Sequence, residues 1–256
     1  MKRIVLFLAL SLAFASCQKD KKDGSELKAV DFQSKTFEKK TTLPCKGDIC
    51  AEVKITVPEA SNIPVVADSI NKKIFTTVRG IVYFGEKPYN GKTYEEIMAS
   101  FINSYEELKK EFPDETLGWE AKVDAKVDYT SDKVLNIKLH HYTYTGGAHG
   151  YEGNRSLLFN PETGKELTRK DFLKDEAGFK SFAEKEFRKK YKIPAGPINA
   201  TGLMFENEVF DLPQTIFFTK NGLLLHYNTY EVASYADGPK ELLLPYDQLT
   251  NYLLIK

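Results

Sequence analysis

Three of the chain's four histidines fall within ten residues, in His140-His141-Tyr142-Thr143-Tyr144-Thr145-Gly146-Gly147-Ala148-His149-Gly150. Crowded imidazoles are the usual material of a zinc site. The spacing argues against one here. Neighbours on a strand point to opposite faces, so His140 and His141 cannot serve the same ion. No Glu or Asp stands at a familiar ligand spacing and no His-Glu-x-x-His occurs, so neither a metal nor another cofactor is expected. The residue types instead suit a tight corner. Gly146, Gly147 and Gly150 allow a positive-φ connection after a strand, and His149 would fix it by hydrogen bonds.

Other chemistries fare no better. Gly85-Glu86-Lys87-Pro88-Tyr89-Asn90-Gly91-Lys92-Thr93 resembles a phosphate loop, but five residues separate its glycines where the motif has four. Pro88 also removes a backbone donor that such a cradle needs. There is no Gly-x-Ser-x-Gly, and Glu95-Glu96 and Glu106-Glu107 sit on a helix, where adjacent side chains do not face each other. No catalytic residue is expected. Tyr227, Tyr230 and Tyr235, with Glu231 and Asp237, form an aromatic and acidic cluster. A sugar- or protein-binding surface has this composition; so has the edge of a core, which is the commoner origin.

The elements that must carry these residues follow from hydrophobic spacing. Lys35 to Leu43 and Ala51 to Val57 read as two strands joined by a turn between Cys45 and Cys50, with Val53, Ile55 and Val57 alternating against polar neighbours. From Pro64 to about Val82 the period lengthens to that of an amphipathic helix. A second helix starts at Thr93 with a capping box and stops at Pro113. Trp119 to Tyr129 alternates strictly, with Trp119, Ala121, Val123, Ala125, Val127 and Tyr129 on one face. The turn Thr130 to Lys133 leads into a second strand through Leu135, Ile137 and Leu139. A short strand around Ser156 to Phe159 follows. Helical segments come next at Arg169 to Leu173 and about Ala177 to Tyr191. A hairpin runs from Gln214 to Tyr227, and a final helix from Pro245 to about Leu254. This mixture predicts an α+β fold, antiparallel sheet hairpins packed with several helices.

The N-terminus speaks of address. Lys2 and Arg3 precede an apolar run from Ile4 to Ala15, twelve residues where a membrane span needs roughly 20. Ala15-Ser16-Cys17 then reads as a bacterial lipoprotein signal, cleaved before Cys17, whose thiol and new amino terminus take palmitate-class acyl chains. Multiple acylation anchors a protein durably, at about 0.8 kcal/mol per buried CH₂. The expected organisation is a signal peptide over 1–16, a flexible tether over 17–30 and an α+β domain over 31–256, with halves at 31–130 and 131–256. Outside the cytoplasm, Cys45 and Cys50 form a structural disulfide, which leaves no free thiol. Lys+Arg and Asp+Glu stand at 36 each, so loss of Lys2 and Arg3 leaves a mature charge near −2. That balance offers no footprint for nucleic acid or anionic lipid heads.

Three segments together resemble a known family. They are Tyr144 to Gly150, the turn Asn160-Pro161-Glu162-Thr163-Gly164-Lys165-Glu166-Leu167 running into Asp171-Phe172, and Tyr230 to Gly238 with Leu244-Pro245-Tyr246. They look like the envelope domain called domain of unknown function 3298. The portion from about Phe37 to Tyr129 is similar to the partner domain, number 4163, that usually precedes it. The resemblance implies a mixed α+β fold and an extracytoplasmic setting. The relatives it brings in are the outer part of a lysozyme-sensing anti-sigma factor and a non-catalytic region attached to a peptidoglycan deacetylase. It supplies no catalytic residue; Gly146, Gly147, His149, Gly150, Tyr230 and Tyr235 are its signature and candidate binding positions. Cys17-Gln18-Lys19-Asp20 also resembles the post-cysteine segments of Bacteroidota lipoproteins, which implies an outer-membrane address on the periplasmic or surface face. The combined expectation is a lipid-anchored, non-enzymatic binding module of the bacterial envelope. Its ligand would be peptidoglycan or a protein such as lysozyme. The alternative is an enzyme or accessory subunit acting on cell-wall glycan, with the histidine segment as its candidate site.

Overall fold

The computed structural model describes residues 29–45, 50–83, 90–114 and 117–255. The signal peptide, Cys17, most of the tether, the turn 46–49 and most of the Gly85–Gly91 loop lie outside the described residues. The first strand, β1 (Asp31–Lys40), pairs antiparallel with β2 (Glu52–Ser61), and Cys45 and Cys50 beside that connection are disulfide-bonded, their Cα atoms 5.1 Å apart. Next come α1 (Pro64–Val82) and α2 (Tyr94–Glu111). Pro64 opens α1, where a missing N–H costs nothing. Thr93 caps α2 by accepting from the Glu96 amide, while the Glu96 carboxylate reaches back to the Lys92 N–H.

The chain then returns as β3 (Glu120–Thr130), β4 (Leu135–Tyr144) and β5 (Tyr151–Phe159), completing a five-stranded sheet in the order β1-β2-β3-β4-β5. The α+β class holds, with one departure from all-antiparallel pairing. β2 and β3 run parallel, because the two helices between them carry the chain back to the starting end of the sheet. Val66, Ile70, Ile74 and Val78 of α1, with Ile97, Phe101 and Ile102 of α2, cover one face of the sheet over Val53, Ile55, Ala121, Val123, Ile137 and Leu139.

The register of β3 slips between Val127 and Tyr129 as it pairs with β4. That bulge breaks the alternation expected of the strand. Tyr129 therefore leaves the face shared by Ala121 and Val123 and packs against a second core, its ring 6.4 Å from that of Phe218. The second core is built by α3 (Arg169–Phe172), α4 (Glu176–Tyr191) and a three-stranded antiparallel sheet of β6 (Thr215–Phe218), β7 (Gly222–Tyr227) and β8 (Lys240–Pro245). Phe172, Phe179, Phe187, Phe210, Phe218 and Tyr227 fill it.

Two elements differ from the sequence reading. β5 begins at Tyr151, not Ser156, and the helix expected from Pro245 to about Leu254 is only a single 3₁₀ turn at Tyr246–Leu249, preceded by a strand, β8, that the sequence reading did not assign. Leu242 and Leu244 point inward while Glu241 and Leu243 face solvent, which is a strand's period. Beyond the turn the backbone runs alongside the end of α3, with Leu253 bridging Leu173 and Leu254 N–H donating to Phe172. A helix would have consumed those groups internally. Among the described residues no helix is long and apolar enough to cross a membrane.

Candidate functional site

His140 and His141 diverge as strand geometry requires: the His140 side chain is 43% exposed, and His141 is 3% exposed. His140 lies 3.4 Å from a Glu152 carboxylate oxygen. Both His141 ring nitrogens are buried without a hydrogen-bond partner among the described residues. Burial, aided by the nearby charges of Arg155 and His140, pushes its pKa down to about 4, so the ring is neutral near pH 7. Among the described residues no group of three or more His, Cys, Asp or Glu could hold a metal ion.

The corner between β4 and β5 is built as follows. Gly146 and Gly147 adopt φ of 112° and 93°, values that side chains rarely reach. Gly150 has another reason to be glycine: a Cβ there would sit 2.5 Å from the Tyr142 ring, so the bare backbone lets that ring lie flat across it. The Tyr144 hydroxyl donates to the Gly147 carbonyl at 2.9 Å. This folding delivers His149 to the surface, where its ring stacks on Tyr235 at 3.9 Å between centroids and 12° between planes. The Tyr230 hydroxyl lies 3.1 Å from His149 Nε2, and the two tyrosine rings are 5.8 Å apart. Tyr230 and Tyr235 remain 50% and 45% exposed.

The cluster of Tyr227, Tyr230 and Tyr235 thus divides. Tyr227 is core, 1% exposed, its hydroxyl donating to the Asp211 carbonyl; its two companions are surface. The 228–238 loop that carries them is pinned from within. Val232 and Ala233 are buried, and the Glu231 carboxylate accepts from the Asn228 and Gln214 amides at 2.9 Å each. Tyr230 is held at φ 69°, a left-handed conformation that costs a bulky residue energy and persists only where the surroundings impose it.

Beneath the loop lies a polar network with no counterpart in the sequence reading. The Asn228 side chain accepts from the Asn154 N–H at 2.6 Å and donates to the Asn154 carbonyl at 3.1 Å, pairing with the open edge of β5 as a neighbouring strand would. His226 is buried, with Nδ1 2.8 Å from Glu241 Oε1 and Nε2 3.2 Å from both Asn154 Nδ2 and Asn228 Oδ1. A carboxylate-oriented imidazole is one half of a general-base arrangement. Here its second nitrogen is spent on the two asparagines, which makes the pair a strut between the sheets. Tyr142 and Tyr144 are the other overlooked members of the corner. They occupy the even positions of β4, opposite the apolar odd ones, and that alternation was the available signal.

Residues 165–247 match the family model described as "Protein of unknown function (DUF3298)", and residues 45–152 match "Deacetylase PdaC". The Gly146–Gly150 corner falls in the first-half match, while Tyr230 and Tyr235 fall in the DUF3298 part. The structure is similar to that of a DUF3298-family member from Bacteroides fragilis, with 18% identity and a TM-score of 0.68 over 88% of this chain and 94% of that one. It is also similar to a DUF3298-family protein from Pseudomonas aeruginosa PAO1, with 19% identity and a TM-score of 0.63 over 88% and 95%. These likenesses establish the shared fold. No curated protein matches the chain.

Proposed function

We propose that this chain, in which a PdaC-like region precedes a DUF3298 region, is a lipid-anchored, non-enzymatic binding module of the bacterial envelope whose ligand is peptidoglycan glycan. The observation that carries the reading is the exposed pair Tyr230 and Tyr235, stacked about His149 on a rigid base. An aromatic face is electron-rich, and the axial C–H bonds of a pyranose ring carry small positive charge, so flat exposed tyrosines suit sugar rings. The phenol hydroxyls and the imidazole add hydrogen bonds at the rim, the mixture of apolar surface and few polar groups that orients a ligand. Two family features support this choice: residues 45–152 match a model described as a deacetylase, and the resemblance read in the sequence brings in a peptidoglycan deacetylase and a lysozyme-sensing protein. The lipoprotein signal at Ala15-Ser16-Cys17 supports the anchoring and an outer-membrane address.

The test is co-sedimentation of the soluble part, from Asp23 onward, with purified peptidoglycan sacculi, and separately its capture by immobilised lysozyme. The wild-type protein is expected to pellet with sacculi. The double variant Tyr230→Ala/Tyr235→Ala should bind about tenfold more weakly or worse, equivalent to about 1.4 kcal/mol, with an unchanged circular dichroism spectrum. Saturable capture by lysozyme without binding to sacculi would replace the glycan with a protein ligand. Release of acetate or reducing ends from sacculi would establish the enzyme reading instead.

A further inference from the structure

Away from the tyrosine corner, a cavity of about 270 Å³ opens between the first half of α1, the start of α2 and the β1–β2 edge of the sheet. Its walls are apolar: Phe37, Phe75 and Tyr94 with Val57 and Ile74. The rings pack on one another into a continuous aromatic wall. Phe37 stacks on Tyr94 at 4.6 Å, and Phe75 meets Tyr94 edge-on at 5.2 Å. Such concave, mainly aromatic hollows with a few polar groups at the mouth are the usual form of a small-ligand site.

The charges at the mouth are of two kinds. Lys35 and Glu59 neutralise each other at 2.5 Å, and Asn71 is occupied with both backbone groups of Ala60. Asp68 and Lys72, one helical turn apart on α1, make no ion pair or hydrogen bond with any described residue, although each lines the opening. Residues at i and i+4 have Cβ atoms about 5–6 Å apart, so the two opposite charges stand side by side on the rim, within reach of one small dipolar head. Nearby Lys73 on the same helix, by contrast, is paired to Glu166 at 2.6 Å.

We infer that this cavity binds a zwitterion of α-amino-acid type with a large apolar side chain: the side chain lies in the hollow against the Phe37–Tyr94–Phe75 wall, the ammonium meets Asp68 and the carboxylate meets Lys72. An opposite pair of unspent charges over an apolar hollow complements that chemistry and no simpler one. A hydrocarbon would leave both charges unused, and a singly charged amphiphile would use one and face the other's repulsion.

The experiment is NMR titration of the soluble part with four probes: phenylalanine, phenethylamine (no carboxylate), hydrocinnamate (no ammonium) and glycine (no apolar side chain). Phenylalanine is expected to shift amides around Phe37, Phe75 and Tyr94 with a Kd of about 0.1–1 mM. The other three should bind at least about tenfold more weakly. Both variants replace exposed side chains, so the fold is retained. Lys72→Met should remove the preference for phenylalanine over phenethylamine while keeping that over hydrocinnamate, and Asp68→Asn should do the reverse. Absence of saturable shifts at about 10 mM phenylalanine, or equal losses for every probe in both variants, would overturn the inference.

Discussion

A histidine sealed into a sheet face without a hydrogen-bond partner penalises its own protonated form, and His141 is in that position. Its folded pKa of about 4 lies below the ordinary 6.5, so the unfolded chain takes up a proton that the folded one refuses. The resulting stability is complete above pH 6.5, falls as pH drops from 6.5 towards 4, and is lost below that. The loss amounts to about 3 kcal/mol. Replacing His141 with Leu removes both orphaned nitrogens and is expected to raise the melting temperature at pH 5 and flatten the acid limb, read by thermal unfolding between pH 4 and 8. An unchanged acid limb would show that other groups set it. His149 behaves differently because it is partnered and exposed. His149→Ala removes the Tyr235 stack and the Tyr230 contact and should cost about 1 kcal/mol, while added zinc leaves the wild-type melting temperature where it was. A zinc-dependent rise that disappears in His149→Ala would point to a metal site. The glycines and His149 of this corner could be read directly from local composition. That His149 meets Tyr230 and Tyr235 could not, since the contact spans 81 residues and depends on how the two sheets join.

Elements with a single clear period were legible. α1, α2, β3 and β4 follow from apolar residues spaced for a helix or a strand, and their observed bounds match within a few residues. Those shaped by tertiary demands were not. Tyr151 to Arg155 shows no alternation, because Gly153 makes space for the His141 ring and Asn154 pairs with the Asn228 side chain. β8 stood out in no pattern because the alternation of Leu242 and Leu244 lasts only a few residues. The bulge at Val127–Tyr129 leaves no sequence mark either. Asn228 joins the two sheets, so Asn228→Ala should strand the Asn154 N–H, while the Asn154 carbonyl keeps the Thr215 hydroxyl at 3.1 Å, and cost about 2 kcal/mol in denaturant unfolding. The same substitution should loosen the Tyr230 loop. Losing the Cys45–Cys50 bond in Cys45→Ser/Cys50→Ser should cost about 2 kcal/mol, the cost of freeing a small loop.

At the scale of the whole molecule the two cores divide the labour. The five-stranded sheet with α1 and α2 presents the glycine corner, and the second core presents the tyrosine loop. The platform exists only where the two meet, so neither half alone is expected to bind glycan. The tether from Cys17 would hold that platform near a membrane. Cys17→Ser is therefore predicted to move the protein from the membrane fraction to the soluble one, and its retention with the membrane would contradict lipid anchoring. Glycan is predicted to lie on the stacked Tyr230–His149–Tyr235 surface. NMR of the soluble part, with tyrosine rings isotope-labelled, tests this on addition of soluble peptidoglycan glycan fragments. The predicted result is that the Tyr230 and Tyr235 ring signals shift together and saturably, while those of Tyr227 and Tyr105 in the two cores stay fixed. Saturating fragment with no change at Tyr230 and Tyr235 would contradict it.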